Sequence, residues 1–164
     1  MASSKKPGKS QPMPLLVCAA FCDHVLEADD GSMSAISLRD SVRIYRPEGA
    51  DPETRFPISI WALFAFKSGD AVGERRLRLV LRMPTGKRRL LQEQMIPFNG
   101  GPAGTPEGGI NIRLKVTLKL KTEGLYLVDV FVDRKRYTSM PLRVIFKPVK
   151  LPNSQGVQDV FVSS

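Results

Sequence analysis

The 164-residue chain has one histidine, two cysteines, one tryptophan and few aromatic residues of any kind. Each scarcity removes a class of protein. With His24 as the only imidazole, acid–base or triad chemistry built on histidine would rest on a single position. Two cysteines are too few for a disulfide-built miniprotein. Cys18 and Cys22 lie in one extended run, where a rise of about 3.3 Å per residue sets their Cα atoms roughly 13 Å apart, beyond disulfide reach. Unpaired thiols point to a reducing, cytoplasmic setting. The apolar run Leu15 to Phe21 follows the basic Lys5, Lys6 and Lys9. It falls far short of the ~18 residues of a membrane span and lacks the small residue before cysteine that a lipoprotein cleavage site needs. No membrane partner is expected. Nowhere does a helical period with caps persist.

What remains is an ordinary globular composition, 42% hydrophobic and 25% charged, enough apolar material for one core. Residues 1–14 read as a disordered basic leader, 15–146 as one domain, and 147–164 as a tail in which Val160, Phe161 and Val162 suit an added strand. The net charge of +9 is unevenly placed. Residues 15–60 carry four basic residues against eight acids, and residues 61–146 carry sixteen against seven. Such asymmetry suits an anionic partner or an acidic patch on a second copy.

Runs of period two separated by turn chemistry fill the domain. Leu15–Leu26 leads through Asp30-Gly31, a hairpin signal, to Met33–Tyr45, where Asp40 interrupts the stripe Ile36, Leu38, Val42, Ile44. A bulge at Asp40, or a place at the rim, accounts for the interruption. Ile58–Lys67 is apolar on both parities, with Trp61, Leu63 and Ala65 on one side and Ile60, Ala62, Phe64 and Phe66 on the other. Such a strand is central and needs cover on both faces, from the opposite sheet and from a loop, a tail or another subunit. Leu77, Leu79 and Leu81 alternate with Arg76, Arg78 and Arg82, and Arg88 and Arg89 open the returning strand. Ile110–Lys121 alternates without a fault, its wet face bearing Arg113, Lys115 and Lys119. Leu125–Asp133 and Tyr137–Phe146 close the domain around Arg134-Lys135-Arg136, with Pro141 marking a local edge. The resulting expectation is an all-β, antiparallel immunoglobulin-like sandwich of about eight strands, with a closed barrel as the alternative. Gly124 and Tyr126 are spaced as in a tyrosine corner, and Val128 takes the place of the usual cysteine.

The opening Phe21-Cys22-Asp23-His24-Val25, then Asp30-Gly31-Ser32-Met33-Ser34-Ala35-Ile36 and Asp40-Ser41-Val42, together with Gly124-Leu125-Tyr126 and Pro141-Leu142-Arg143-Val144, resembles a bacterial family of small all-β proteins of unknown function. Its members open with Cys-Asp-x-Val, an Asp-Gly turn and Ser-x-Ile. Cys22, Asp23, Val25, Gly31, Ser34 and Ile36 match that opening, whereas Glu123 stands where the closing turn would have proline. The resemblance spans about residues 15–146 and implies a bacterial or phage cytoplasmic sandwich with no established activity.

Little in the chain carries chemistry. Cys18, Cys22 and His24 share one parity and would give zinc at most three ligands with no second cluster, so small core thiols are the simpler reading. Asp29-Asp30-Gly31 lacks the alternating carboxylates of a calcium loop. Gly86-Lys87 lacks the rest of a phosphate-binding loop. Asp129 and Asp133 are explained by ion pairing to Arg134 or Arg136. No metal, cofactor or small-molecule substrate is expected. The expected function is that of a non-enzymatic interaction or structural subunit, self-associating through Trp61 and Leu63. The alternative is an anion or nucleic-acid binder using Arg76, Arg78, Arg82, Arg88, Arg89, Arg113, Lys115 and Lys119.

Overall fold

A computed structural model describes residues 12–101 and 108–150. Among these residues there are nine strands and no helix. They are β1 (Leu15–Glu27), β2 (Met33–Arg39), β3 (Ser41–Pro47), β4 (Phe56–Lys67), β5 (Val72–Arg82), β6 (Arg88–Asn99), β7 (Gly109–Leu120), β8 (Gly124–Val132) and β9 (Lys135–Val149). One sheet has the order β2-β1-β4-β7, the other β3-β9-β8-β5-β6. The expected all-β sandwich is therefore the fold, with one strand more than the sequence suggested. The extra strand arises at Asp40. The run Met33–Tyr45 is two strands, β2 in the first sheet and β3 in the second, and the chain changes sheet between them. Asp40 breaks the apolar stripe because Ile36 and Leu38 lie on the outside of one sheet while Ile44 enters the core from the other. β3 then pairs parallel to β9, and every other pairing is antiparallel. This strand order is compatible with an immunoglobulin-like sandwich.

Period two sets the core. Phe64, Phe66, Leu118 and Leu120 from the first sheet meet Leu77, Leu79, Leu81, Val128, Val130 and Leu142 from the second, all fully buried. Phe66 packs edge-on against Phe98 and Tyr137. At the corner between β7 and β8, the buried Tyr126 hydroxyl donates to the Thr122 carbonyl at 2.9 Å. This is the tyrosine-corner contact that the Gly124–Tyr126 spacing implied. Pro141 falls where β9 has β8 on one side and no partner yet on the other, since β3 joins only from Arg143.

The boundaries shift slightly. Pro14 accepts a hydrogen bond from the Tyr137 hydroxyl at 2.7 Å and Met13 packs against the core, so the folded part begins inside the expected leader. β9 runs on to Val149, three residues into the expected tail. The rest of the leader, the tail strand at Val160–Val162 and most of the loop Asn99–Gly109 lie outside the described residues.

Candidate functional site: two outward faces and one bare edge

The two outward faces of the sandwich are built differently. On the four-stranded sheet, Cys22, Trp61 and Lys115 lie side by side across β1, β4 and β7, and Ala20, Leu63 and Arg113 form the next row. This is the second apolar side of the doubly apolar strand. Cys22 is 0% exposed and Leu63 only 9%, though neither belongs to the core between the sheets.

Their cover is the chain itself. Pairing of β1 with β4 stops at Cys22, and from there β1 and β2 continue as a two-stranded arm. At its far end Glu27 pairs with Arg113 at 2.8 Å. Arg113 sits in the row of Ala20, and Glu27 would lie some 23 Å beyond that row if β1 ran straight, at ~3.3 Å per residue. The arm therefore bends toward the outer face, on the side where Cys22 and Leu63 are buried. Asp23 and Arg39 clamp its root through two hydrogen bonds, one of them 2.8 Å. The bond from Arg39 holds the Asp23 carboxyl below the usual carboxylate range, while burial and the nearby Asp23 charge push the Cys22 thiol up. Asp30 accepts from the Ser32 amide in the turn, and Gly31 takes the positive φ that the hairpin needs. Trp61 and Leu63 thus share the outward face, Leu63 buried and Trp61 half-buried. Other members of the opening motif, Val25, Ser34 and Ile36, are strand positions of the arm.

What the arm leaves open is its own edge. The two sheets end in four edge strands, β2, β7, β3 and β6. Three carry the charges or prolines that deter unwanted pairing: Arg113, Lys115 and Lys119 on β7, Arg43, Arg46 and Pro47 on β3, Arg88, Arg89, Glu93 and Pro97 on β6. β2 has no charged residue before its last position, Arg39, and exposes Ile36 (41%) and Leu38 (69%). Sequence reading missed this edge because it ran β2 and β3 together.

The basic residues do not merge into one patch. Arg76, Arg78, Arg82 and Arg88 lie on the outer face of the five-stranded sheet. Arg113, Lys115 and Lys119 lie on the opposite side of the molecule. Arg89, the second residue of β6, has the inward parity, opposite Leu81, and is exposed. The same five-stranded face gains Arg43, Arg136, Arg143 and Lys147, which the sequence reading had left out. At its centre Asp129 is buried, accepting from Arg82 at 3.2 Å and from the Ser139 hydroxyl, with Arg136 4.0 Å away. Asp133, in the turn, pairs with Arg75. Both aspartates are thus held in ion pairs, as expected: Asp129 by Arg136, one of the two expected arginines, and by Arg82, and Asp133 by Arg75.

Chemistry-bearing clusters are scarce. Among the described residues no three of His, Cys, Asp or Glu come together to hold a metal, and both cysteines are free. A hollow of about 740 Å³ at one end of the sandwich has Arg46, Glu53, Lys121, Glu123 and Phe146 in its wall. Three of its charges are engaged in one another or in the backbone: Lys121 pairs with Glu53, and Glu123 accepts from the Phe146 amide. Among the described residues no helix is long and apolar enough to cross a membrane.

The fold and surface define an all-β, two-sheet sandwich. No family model matches the chain, and no curated protein does. Solved structures resemble it in part. A β-glucosidase from Listeria innocua in complex with glucose aligns at 13% identity and TM-score 0.47, over 66% of this chain and 15% of that one. A β-glucosidase 3B from Thermotoga neapolitana in complex with glucose aligns at 12% identity and 0.42, over 78% and 16%. An alkylpurine DNA glycosylase from Pseudomonas fluorescens, bound to DNA containing an abasic site analog, aligns at 13% identity and 0.41, over 77% and 30%. The chain spans less than a third of each of these proteins, and at such scores the likeness says nothing about activity.

Proposed function

We propose that the protein is a non-enzymatic interaction subunit that self-associates through its β1–β2 arm. The observation that carries this reading is the bare β2 edge, the one edge strand of four with neither a proline nor a charge along its length before Arg39. An unpaired strand edge offers a row of backbone donors and acceptors, and its natural complement is another strand. A second copy of β2, run antiparallel about a two-fold axis, meets Met33–Ile36 with an equally uncharged partner, short of Ser37, whose φ of +55° interrupts the strand, so no like charges face each other along the new ladder. Ile36 is buried in the process. The clamp between Asp23 and Arg39 and the anchor from Glu27 to Arg113 hold the arm in place beforehand, which lowers the ordering cost of association.

Light scattering coupled to size-exclusion chromatography tests the proposal. The wild-type chain is expected to run as a dimer, and Ile36→Lys with Leu38→Lys as a monomer that still unfolds in one cooperative transition, at a melting temperature that no longer rises with concentration. A wild-type monomer at every concentration up to the millimolar range would overturn it, as would a lysine variant that remains dimeric.

A further inference from the structure

We infer that the outer face of the five-stranded sheet binds the phosphate backbone of a nucleic-acid duplex, without sequence preference. This surface is separate from the arm and does not depend on the proposed self-association. Seven arginines and one lysine occupy it: Arg43 on β3, Arg136, Arg143 and Lys147 on β9, Arg76, Arg78 and Arg82 on β5, Arg88 on β6. They span the full width of the sheet, about 19 Å for five strands 4.8 Å apart. Along β5, Arg76 and Arg78 stand roughly 6.7 Å apart, with Arg82 about 13 Å further on beyond Val80.

Three features favour phosphate as the anion and a duplex as its source. The set is almost wholly arginine, whose planar fork takes two phosphate oxygens at once. Arg43, Arg88, Arg143 and Lys147 make no ion pair with described residues, so their charge is not spent within the fold. Most acids on this face are committed: buried Asp129 holds Arg82, Glu93 pairs with Arg76, and Asp133 pairs with Arg75 while accepting from the Arg76 amide, which leaves Glu74 at the start of β5 as the exposed acid without an ion pair among the described residues. Arg76, Arg78, Met95, Asp133 and Arg134 also line a hollow of about 330 Å³, a size that admits a phosphate group.

The apolar residues of this face are scattered among the charges. Val80, Leu127 and Phe131 are half-buried, Arg78 lies 5.4 Å over the Phe131 ring, and the exposed Leu90, Met95 and Leu125 stand apart on β6 and β8, opposite Val80, Arg76 and Arg143. Nor does the face offer a row of exposed rings on which unpaired bases would stack; Tyr45 stands alone at its β3 edge. A stiff, outward-facing phosphate array suits such a surface.

The experiment is fluorescence anisotropy with a labelled mixed-sequence DNA duplex of about 20 base pairs, the matching single strand, and polyglutamate, over about 50 to 200 mM salt. Expected is duplex binding that weakens steeply with salt and exceeds that of the single strand and of polyglutamate. Arg43→Ala with Arg143→Ala is expected to weaken binding about tenfold or more and to reduce the salt slope by about 2. Lys115→Ala with Lys119→Ala removes the same charge from the opposite face and is expected to change affinity less than about twofold. Thermal melts of both variants exclude unfolding. No duplex binding at the lowest salt overturns the inference, as does equal loss in the two variants. Tighter binding of the single strand overturns the duplex assignment, and binding of polyglutamate alone assigns the face to an acidic protein instead.

Discussion

Tyr126 and Gly124 show how much of the corner between the sheets rests on single atoms. The Tyr126 hydroxyl donates to the Thr122 carbonyl and also meets the Thr122 hydroxyl, at 3.2 Å. Tyr126→Phe leaves that carbonyl without its donor in a part-buried corner, at a cost of about 1–2 kcal/mol. Gly124 has φ +132°, and a Cβ there would stand 2.9 Å from the Pro84 side chain. Gly124→Ala therefore combines backbone strain with a clash and is expected to cost about 1–3 kcal/mol. Urea unfolding of both variants checks these values, with an unchanged m-value as the sign that the native fold is intact. The spacing of the two residues was legible in the sequence because the corner is a local motif. The contact with Pro84 was not, since it joins residues forty positions apart.

Among the elements, the arm is the one whose behaviour can be followed by a built-in probe. Cys22 lies buried at its root and Cys18 is exposed, so a thiol reagent should modify Cys18 quickly and Cys22 slowly. In a Cys18→Ser background, Asp23→Asn removes the charge that clamps Arg39 and is expected to speed Cys22 modification at neutral pH. The raised thiol pKa adds a second signature, because the rate at Cys22 should go on climbing with pH past the ordinary thiol range, about 8.5, where an ordinary thiol levels off. The acid side follows from Asp23, whose folded pKa is depressed. Its contribution is full above the ordinary carboxylate value of about 3.9 and is lost as pH falls through the lower, folded value, so the arm should loosen only in strong acid. Hydrogen exchange of the β2 amides at pH 5 and below reads that release directly. The arm also marks where sequence reading stopped. Alternation located nearly every strand and its wet face, because period two is a property of the single strand. It assigned no strand to a sheet. The second apolar side of β4 is legible as a face in need of cover, but the bend that brings the tip of the β1–β2 hairpin toward it is not, because it rests on Glu27 and Arg113, 86 positions apart.

On the scale of the whole molecule, the uneven charge found along the chain becomes a division of surfaces. The acidic first third supplies the arm, which is short of positive charge and proposed to meet a second copy. The basic remainder supplies the face on the five-stranded sheet. Because β2 borders the other sheet, pairing through β2 leaves both basic faces of a dimer uncovered, and the two proposals together make the dimer bivalent. Bivalence has a consequence that neither surface has alone. A duplex long enough to reach both faces, about 100 base pairs, should bind the dimer more tightly than the monomer by a factor of 10² or more, through effective concentration rather than new contacts. A duplex of about 10 base pairs, with room for one face, should bind both within about twofold. The Ile36→Lys, Leu38→Lys variant supplies the monomer and makes the comparison strict. Its added lysines would raise affinity through charge, so a loss confined to the long duplex can come only from the loss of the second face. Equal affinity of dimer and monomer for the long duplex would show that the two faces do not act together.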